Sequence, residues 1–495
     1  MLIELRCDRA RPRAWMDAVA IEVGGERADT RIIWVESGKS PAGLEALFEL
    51  ERLLLRKGRP SLVDPVKREG EGAAADSATT PDIVIDFTAR PRDAASPARI
   101  YLRPYYNGVA GEDAALAAIL AGDLPRIDIV DEASGRTLDQ GWPSAEIAAG
   151  LSGHLEAVVA RTLTLLRAIL SGGPRLPASE RPLVGRSSPK TPPKAPLAYV
   201  AGGLAHALAR RIYHLCCYAP HWHIGWRFSA GAGVWENGDL SGAPWQRLAD
   251  PGHRFFADPF PVIWQGRTFV YFEDLDHRIG KGTISAIEFD ARGPTGAVVP
   301  VLEQPWHLSY PFLIEDGGEL WMIPESSANR DVALYRCVRF PDRWERHATL
   351  LDNLELGDAT VTRHNGLYYL FGAIRDGAGG YSDTLAIYYA DRLTGPWLPH
   401  AANPVLIDRS QARPAGNMVV RDGRLWRPVQ DCSQGYGAAL ALAEVTELSP
   451  TTFRQQVRHN IAPGPAWPGR KLHTLNRSGT LEVIDGSRIQ PRWFR

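Results

Sequence analysis

Three stretches of this 495-residue chain decide its fold: 258-DPFPVIWQGRTFVYFE-273, 310-YPFLIEDGGELWMIPE-325 and 358-DATVTRHNGLYYLFGA-373. Each begins with a short apolar strand, turns on a glycine and returns as an aromatic strand. Two looser versions follow at 413-RPAGNMVVRDGRLWRPVQD-431 and 473-HTLNRSGTLEVIDG-486, and the turn glycines of successive units lie 52, 48, 57 and 56 residues apart. Five such units, each opening with a hairpin, predict a five-bladed β-propeller.

The turn dipeptides support this prediction, because three of them end in a glycine that tolerates positive φ without steric cost. We therefore expect type I′ hairpin turns at Gln265-Gly266, Asn365-Gly366 and Asp422-Gly423.

The hairpin repeat predicts that polar residues from distant parts of the chain share one rim of the propeller's central channel. The first strand of a blade lines the channel and the second runs back beside it, so the start of one lies near the end of the other. This register places Asp258 near Glu273, Tyr310 near Glu325, Asp358 near Ala373 and Arg413 near Asp431, with His473 at the mouth of the fifth blade.

Most of these residues also have a purely structural interpretation. Asp258 precedes a proline and is typical of a turn, and Glu325 has Arg330 nearby as a partner. Arg413 and Asp431 are equally compatible with an ion pair across one hairpin. His473 and Asn476 are as well suited to capping backbone groups as to contacting a ligand.

The rest of the chain divides by composition. Residues 1–170 alternate strand-like and helix-like segments, which predicts an α/β domain with an open sheet. Residues 171–197 contain seven prolines and are interpreted as a linker. An amphipathic helix is expected over 198–220, and the propeller over 221–495, with residues 223–228 closing its ring against the last repeat.

Charge and cysteine content narrow the function further. The 56 Lys+Arg and 57 Asp+Glu residues nearly cancel, so nucleic acid is not an expected partner. The segment 198–220 is interrupted by Arg210 and Arg211, so no integral membrane segment is predicted. The five cysteines show no ligand spacing and no pairing pattern. We therefore expect reduced thiols, a cytoplasmic location, no metal and no cofactor.

From about residue 222 to the end, the motifs HRFFADPF, YFEDLD, LSYPF, MIPESSANR, GDATV, ARPAGN, QDCSQGYG and HTLN carry a family resemblance. The region resembles the propeller domain at the N-terminus of plant glucosamine inositolphosphorylceramide transferases. That domain is in turn similar to five-bladed propeller glycosidases of the arabinanase, xylosidase and fructosidase type. The resemblance implies a carbohydrate-active propeller.

The glycosidase resemblance also implies roles for individual residues. By blade position, Asp258 matches the base or nucleophile, and Asp358 matches the Asp that tunes pKa values and orients substrate. The acid Glu of those enzymes usually belongs to a later blade, where this chain has Arg413 and Asn417. Glu325, at the end of the second hairpin, is the substitute candidate.

The first domain resembles the formyltransferase N-terminal fold in its order of elements. Formyltransferases use an Asn-His-Asp set, and the corresponding segment here, 101-YLRPYYNGVAG-111, contains no histidine. We interpret residues 1–170 as a degenerate formyltransferase-like domain that binds a partner or presents substrate. Folate-dependent formyl transfer is accordingly the least favoured function.

The leading functional hypothesis is a propeller that binds a glycan or activated sugar and cleaves or transfers a glycosidic bond, as a glycosidase-like or glycosyltransferase-like enzyme. The alternative is a non-catalytic propeller that binds carbohydrate or protein in polysaccharide assembly. The candidate catalytic residues are Asp258, Glu325 and Asp358; the candidate substrate-binding residues are Glu273, Tyr310, Arg413, Asn417, Asp431, His473 and Asn476. Because like charges at one rim repel, at least one carboxyl should have a raised pKa.

Overall fold

A computed structural model describes residues 1–24, 29–36, 43–66, 79–92, 98–145, 150–172, 194–467 and 469–492. The chain separates into two compact units. The first contains Met1–Ala209 and Asp376–Gly380, and the second contains Arg210–Arg375 and Tyr381–Arg495. Most of the predicted linker 171–197 lies outside the described residues.

The first unit is an α/β structure. Its described strands are β1 (Leu2–Asp8), β2 (Asp29–Val35), β3 (Ile83–Asp86), β4 (Ile100–Tyr106), β5 (Val109–Ala110), β6 (Ile127–Asp131) and β7 (Arg136–Gly141). Its described helices are α1 (Ala14–Gly24), α2 (Leu44–Leu54), α3 (Glu112–Leu120) and α4 (Gly150–Leu170). The strand order is β2-β1-β3-β4-β6-β7, with β5 paired to β4.

Strand direction in this sheet changes partway across. The pairs β1–β2, β1–β3 and β3–β4 are parallel, whereas β4–β6 and β6–β7 are antiparallel. Parallel neighbours need crossover connections, which the alternation of strands and helices supplies. The predicted open α/β sheet is therefore present, and its likeness to formyltransferases stays a prediction.

Helix α5 (Pro196–Cys216) contains the boundary between the two units and leads into strand β8 (Cys217–Phe228). The helix expected over 198–220 thus begins two residues earlier and ends before Cys217, where the chain extends into a sheet. Among the described helices, none is long and apolar enough to cross a membrane. The structure describes all five cysteines and joins none of them in a disulfide; the reduced state of the thiols stays a prediction.

The second unit consists of five antiparallel sheets, which are the blades of a propeller. Blade 1 contains β10 (Arg254–Trp264), β11 (Arg267–Asp276), β12 (Lys281–Asp290) and β13 (Gly293–Leu302); blade 2 contains β14 (Ser309–Asp316), β15 (Glu319–Glu325), β16 (Asp331–Arg339) and β17 (Arg343–Asp352). Blade 3 contains β18 (Leu356–His364), β19 (Leu367–Ile374), β20 (Thr384–Ala390), β21 (Leu398–Pro399) and β22 (Leu406–Ile407). Blade 4 contains β23 (Val419–Arg421), β24 (Arg424–Asp431), β25 (Ala439–Leu448) and β26 (Phe453–Ile461).

Blade 5 joins the two ends of the propeller. It contains β27 (Leu475–Ser478), β28 (Leu481–Pro491), β8 and β9 (Gln246–Arg247), in that order across the sheet, and a short helix α6 (Val234–Asn237) lies between β8 and β9 in the chain. Strand β28 pairs with β8 from Leu481–Phe228 to Pro491–Cys217. The prediction that residues 223–228 close the ring is confirmed, because strands from the beginning and the end of the propeller pair within this one blade.

The predicted hairpin turns are also confirmed. Asn365 and Gly366 have φ values of 48° and 87°, and Asp422 and Gly423 have values of 49° and 72°. Positive φ at both central residues is the type I′ geometry, which matches the twist of the flanking strands.

Aromatic side chains fill the space between neighbouring blades. Phe260 of β10 contacts Tyr310 and Phe312 of β14, with ring centres 4.8 Å and 6.1 Å apart. All three side chains are buried. The first strands of adjacent blades thus pack directly against one another, which fixes the positions of the polar residues at their starts.

Candidate functional site

The first strands of blades 1, 2 and 3 each contain the same irregularity. Their pairing with the second strand shifts register just after Ala257, Ser309 and Gly357. The next residue in each case, Asp258, Tyr310 or Asp358, has a positive φ, between 43° and 55°.

A β-bulge redirects a side chain, and positive φ outside glycine costs on the order of 1–3 kcal/mol. Tyr310 is the most strained of the three, because bulky residues rarely adopt this conformation. The same strain at the same place in three blades marks these residues as candidates for function.

The carboxylate of Asp258 is buried among donors from blades 2 and 5. Oδ1 accepts a hydrogen bond from the hydroxyl of Thr474 at 2.8 Å and lies 3.4 Å from Nε2 of His473. Oδ2 accepts a hydrogen bond from the backbone N–H of Tyr310 at 3.3 Å. The backbone N–H of Asp258 donates to Oδ2 of Asp485 at 2.9 Å. Asp258 therefore links the first blade to its two neighbours.

Asp358 occupies the equivalent position in the third blade, and blade 4 supplies its partners. Its Oδ2 accepts hydrogen bonds from Nε of Arg413 at 2.5 Å and from Nε2 of Gln430 at 3.2 Å. Its backbone N–H donates to Oε2 of Glu325 at 3.2 Å. Glu325 is only partly buried, and its Oε1 also accepts a hydrogen bond from Ser327 at 2.9 Å.

Tyr310 connects these two centres. Its hydroxyl lies 2.8 Å from Oγ1 of Thr360 and accepts a hydrogen bond from the backbone N–H of Gly416 at 2.7 Å. The side chain thus reaches from blade 2 to blades 3 and 4. We name Asp258, Tyr310, Glu325, Asp358, Arg413 and His473 the axial cluster; the contacts just described and the aromatic contacts below bring these residues together.

Aromatic rings join the two cations of the axial cluster. Cζ of Arg413 lies 4.6 Å from the ring centre of Tyr436, and the Tyr436 ring meets the His473 ring edge-on with centres 5.4 Å apart. Trp222 of β8 stacks on His473 with ring centres 3.9 Å apart. Trp222 and Tyr436 were not expected from the sequence, because neither lies in a first-strand segment.

Glu273 forms a second, more exposed group with two residues that sequence reasoning missed. Nδ1 of His307 accepts a hydrogen bond from the backbone N–H of Gly282 at 3.0 Å, so the ring proton lies on Nε2. Nε2 is 3.2 Å from Oε1 of Glu273. A Cβ at Gly282 would lie 2.5 Å from the Leu308 carbonyl oxygen and 2.9 Å from Oε1 of Glu273. Only glycine at this position leaves room for the His307–Glu273 pair.

The remaining predicted residues have varied positions. Asn476 is buried; its Nδ2 donates to the carbonyl oxygen of Pro259 and its Oδ1 accepts the backbone N–H of Asn417. Asp431 accepts the backbone N–H of Ser433, within its own turn. The side chain predicted to lie beside Asp431, that of Arg413, instead pairs with Asp358 of the neighbouring blade. The bulge in blade 3 turns Asp358 toward blade 4. The register of a hairpin predicts contacts within one blade only, so it does not predict this contact between blades.

Burial shifts the proton affinities of the axial cluster. Burial raises the pKa of Asp258 to about 8, with Asp485 and Glu273 adding to the shift and His473 opposing it. Burial likewise raises the pKa of Asp358 to about 6 against the opposing effect of Arg413. The expected raised carboxyl pKa is therefore present.

His473 shifts in the direction opposite to that expected from burial alone. Burial by itself lowers the pKa of an imidazole, but Asp485 and Asp258 outweigh it and raise the pKa of His473 to about 9. The ring is therefore an imidazolium at neutral pH.

Asp258, His473 and Asp485 also have the composition of a metal site, since each offers a ligand atom within 4.8 Å of the others. However, Nδ1 of His473 lies 2.6 Å from Oδ1 of Asp485 while Nε2 faces Asp258. With a pKa of about 9 the metal-free imidazole keeps its proton at neutral pH, and a metal ligand must be deprotonated at the coordinating nitrogen, so an ion binding here would have to displace that proton. In the structure as it stands, the His473 imidazolium lies between the carboxyl groups of Asp485 and Asp258 and supplies the positive charge of the triad.

The fold and site together define a five-bladed propeller with a buried carboxylate cluster at the bulges of its first strands. Residues 240–486 match the family model described as "Glucosamine inositolphosphorylceramide transferase 1, N-terminal". The chain belongs to this domain family through its propeller, which confirms the resemblance drawn from the sequence motifs.

Two curated relatives carry the same family name. Glucosamine inositolphosphorylceramide transferase 1 of Arabidopsis thaliana is 30% identical over 278 residues, covering 53% of this chain and 36% of the relative. The protein of that name from Oryza sativa subsp. japonica is 31% identical over 250 residues, covering 48% and 33%. This chain thus spans about a third of the length of the curated relatives it matches.

Solved structures with similar architecture include carbohydrate-degrading enzymes. A family 117 glycoside hydrolase from Zobellia galactanivorans has a TM-score of 0.35 and 11% identity, covering 54% of this chain and 90% of that one. An α-L-arabinanase from Cellvibrio cellulosa has a TM-score of 0.32 and 16% identity, covering 41% and 77%.

Proposed function

We propose that the propeller binds a carbohydrate-containing ligand at the axial cluster and breaks or transfers a glycosidic bond there. The observation that carries this proposal is the pair of buried carboxyls, Asp258 and Asp358, at equivalent bulges of blades 1 and 3. Glycosidic chemistry requires two carboxyl groups, one protonated and one ionised. Membership in a family named after a sugar-containing lipid transferase supports the same substrate class.

Asp258 suits the role of proton donor in this proposal. A carboxyl with a pKa of about 8 keeps its proton at neutral pH and so begins a reaction cycle as an acid. This differs from the base or nucleophile role implied by the glycosidase resemblance. It also supplies the acid that blade 4 lacks, since that blade offers Arg413 and Asn417.

Asp358 suits the complementary role of an ionised carboxylate. Arg413 donates directly to it, and a cation at 2.5 Å favours the charged form. A fixed negative charge at this place would stabilise the positive charge that develops on a sugar ring in the transition state. Environments that push two pKa values apart are the usual basis for acid and base assignments.

The more accessible residues are assigned to binding. Glu325 is partly buried and the His307 side chain is 38% exposed, so both have surface for sugar hydroxyls. The Glu273 carboxylate behind His307 fixes the orientation of that ring. Carboxylate and imidazole groups at a rim give hydrogen bonds of defined direction, as carbohydrate recognition needs.

One observation favours the alternative of a propeller that binds carbohydrate without catalysis. The carboxylates of Asp258 and Asp358 are each satisfied by several protein donors, as in a purely structural network. In that case both residues hold the blades together, and the ligand contacts Glu325 and His307 alone.

Turnover separates the two functions. The wild type is assayed against a panel of aryl glycosides, oligosaccharides and activated sugars, with products detected by mass spectrometry and binding by calorimetry. Asp258→Asn, which keeps shape but loses the ionisable group, should abolish turnover and leave binding within a few-fold. The matched control is Asp352→Asn, at an exposed strand end, which should leave both unchanged. Binding without turnover by the wild type would establish the non-catalytic alternative. A wild type that shows neither binding nor turnover would refute both functions.

A further inference from the structure

Helix α5 is an exposed helix with large apolar side chains in solvent. Of its 21 residues, Val200 is the one that is buried. Leu208 is 60% exposed, Ile212 54% and Leu215 71%. Leu197, at the other end of the helix, is 67% exposed. Isolated exposed apolar residues are ordinary, but a contiguous set on one element indicates an interaction surface.

These apolar residues form a single stripe. Leu197, Leu204, Leu208, Ile212 and Leu215 are separated by seven, four, four and three residues. At 3.6 residues per turn these spacings place all five on one side of the helix. His206, Arg210 and His214 fall on the opposite side. The second half of the helix, from Leu204 to Leu215, is therefore amphipathic, with Arg211 at the edge of the apolar stripe. Leu204 is half-buried, and Leu208, Ile212 and Leu215 face solvent.

The charge of the helix is one-sided as well. It contains Arg210 and Arg211 and no Asp or Glu. The preceding sequence, residues 171–197, adds five basic residues against the single acidic Glu180: Arg175, Arg181, Arg186, Lys190 and Lys194. A chain with a net charge of −1 thus has an excess of basic residues in this helix and in the sequence just before it.

We propose that α5 docks on an anionic lipid surface, lying in the interface with its apolar stripe among the acyl chains and its arginines at the headgroups. An amphipathic helix with basic residues and no acidic ones is complementary to anionic lipid, because its apolar side matches the acyl chains and its positive charge matches the headgroups. A second copy of the chain fits less well, because a second α5 would offer an apolar stripe but no carboxylate to pair with Arg210 and Arg211. This inference does not depend on the proposed catalytic function.

Vesicle co-sedimentation of the full chain tests the docking surface. The probes are vesicles of phosphatidylcholine alone and of phosphatidylcholine with phosphatidylserine. The wild type should bind the mixed vesicles, with affinity falling as salt rises. Leu208→Glu with Ile212→Glu should reduce the partition constant about tenfold or more. Arg210→Gln with Arg211→Gln should reduce it by about fivefold per arginine, and only on the anionic vesicles.

Val420→Glu is the matched control, because Val420 of β23 is another apolar side chain, 67% exposed, in the second unit. It should leave binding unchanged. Circular dichroism melting checks that all variants fold, which the exposure of the substituted residues favours. Absence of wild-type binding to mixed vesicles, or equal binding by the Leu208/Ile212 variant, would overturn the proposal. A wild-type dimer in light scattering that this variant dissociates would also overturn it, in favour of a second copy.

Discussion

Blades 1 and 3 place carboxyl groups, and blade 2 a tyrosine, near the start of their first strands, whereas blades 4 and 5 place a cationic side chain just before theirs. The first three blades present Asp258, Tyr310 and Asp358 from the same strained bulge. The last two depart from that pattern and present cations, Arg413 and His473, that pair with the two aspartates. The repeat thus supplies the acidic half of the axial cluster, and the irregular blades supply the charges that make its burial tolerable.

Removing a cationic side chain from blade 4 should cause the largest loss in the free energy of unfolding. Arg413→Ala leaves Asp358 buried without its charged partner, and breaking a buried pair from one side costs about 3–5 kcal/mol. We expect the free energy of unfolding in urea to fall by that amount. Arg424→Ala removes an arginine that is 62% exposed and pairs at 3.4 Å with Glu444, so it should cost less than about 1 kcal/mol. Equal losses for the two variants would show that the axial charges are not coupled.

The second prediction concerns pH. In the unfolded chain Asp and His titrate near 3.9 and 6.5, whereas here the pKa values are about 8 for Asp258 and about 9 for His473. Between about pH 6.5 and 9 the folded state therefore binds more protons than the unfolded state. Stability should accordingly decrease as pH rises, by up to about 5 kcal/mol, because each group contributes about 1.4 kcal/mol per pH unit while it is protonated only in the folded state.

Thermal melts at intervals from pH 6 to 9 measure this slope. Asp258→Asn removes one titrating group and one source of the His473 shift, so its slope should be shallower than that of the wild type. A wild-type melting temperature that rises across this range would contradict the assignment of a protonated His473 and a proton-bearing Asp258.

Disturbing the His307–Glu273 pair should cause a smaller loss of stability. Gly282→Ala introduces a Cβ 2.8 Å from Cε1 of His307 and 2.5 Å from the Leu308 carbonyl oxygen, so it should cost about 1–2 kcal/mol by overpacking. Histidine NMR should show His307 displaced from Glu273. Gly231→Ala, where no atom lies within 4 Å and φ is not positive, is the control and should change neither. An unperturbed His307 resonance in Gly282→Ala would show that the glycine is not needed for the pair.

The repeat made much of the second unit predictable. The turn glycines gave the number of blades, and the hairpin register correctly placed the ends of the second strands beside the bulges: Glu273 opposes Ala257 and Glu325 opposes Ser309. Ala257 directly precedes the strained residue Asp258, and Ser309 directly precedes the strained residue Tyr310. Two-residue turns fix register, so such contacts follow from sequence alone.

Contacts between blades were not predictable in the same way. His307 precedes the second repeat and Trp222 lies far upstream of the first, so the hairpin motif contains neither. Their positions depend on how the blades pack and on ring closure through β8. The register of one hairpin places Arg413 beside Asp431, whereas the charged partner of Arg413 is Asp358 in the neighbouring blade.

The most direct test of whether the axial cluster is a carbohydrate site is a crystal structure. Crystals are soaked with a panel of pentoses, hexoses and short oligosaccharides. We expect sugar density against Glu325 and His307, with the sugar ring over Asp258 and Asp358. Ordered sugar found only elsewhere on the protein, with the axial cluster unoccupied under the same conditions, would contradict it.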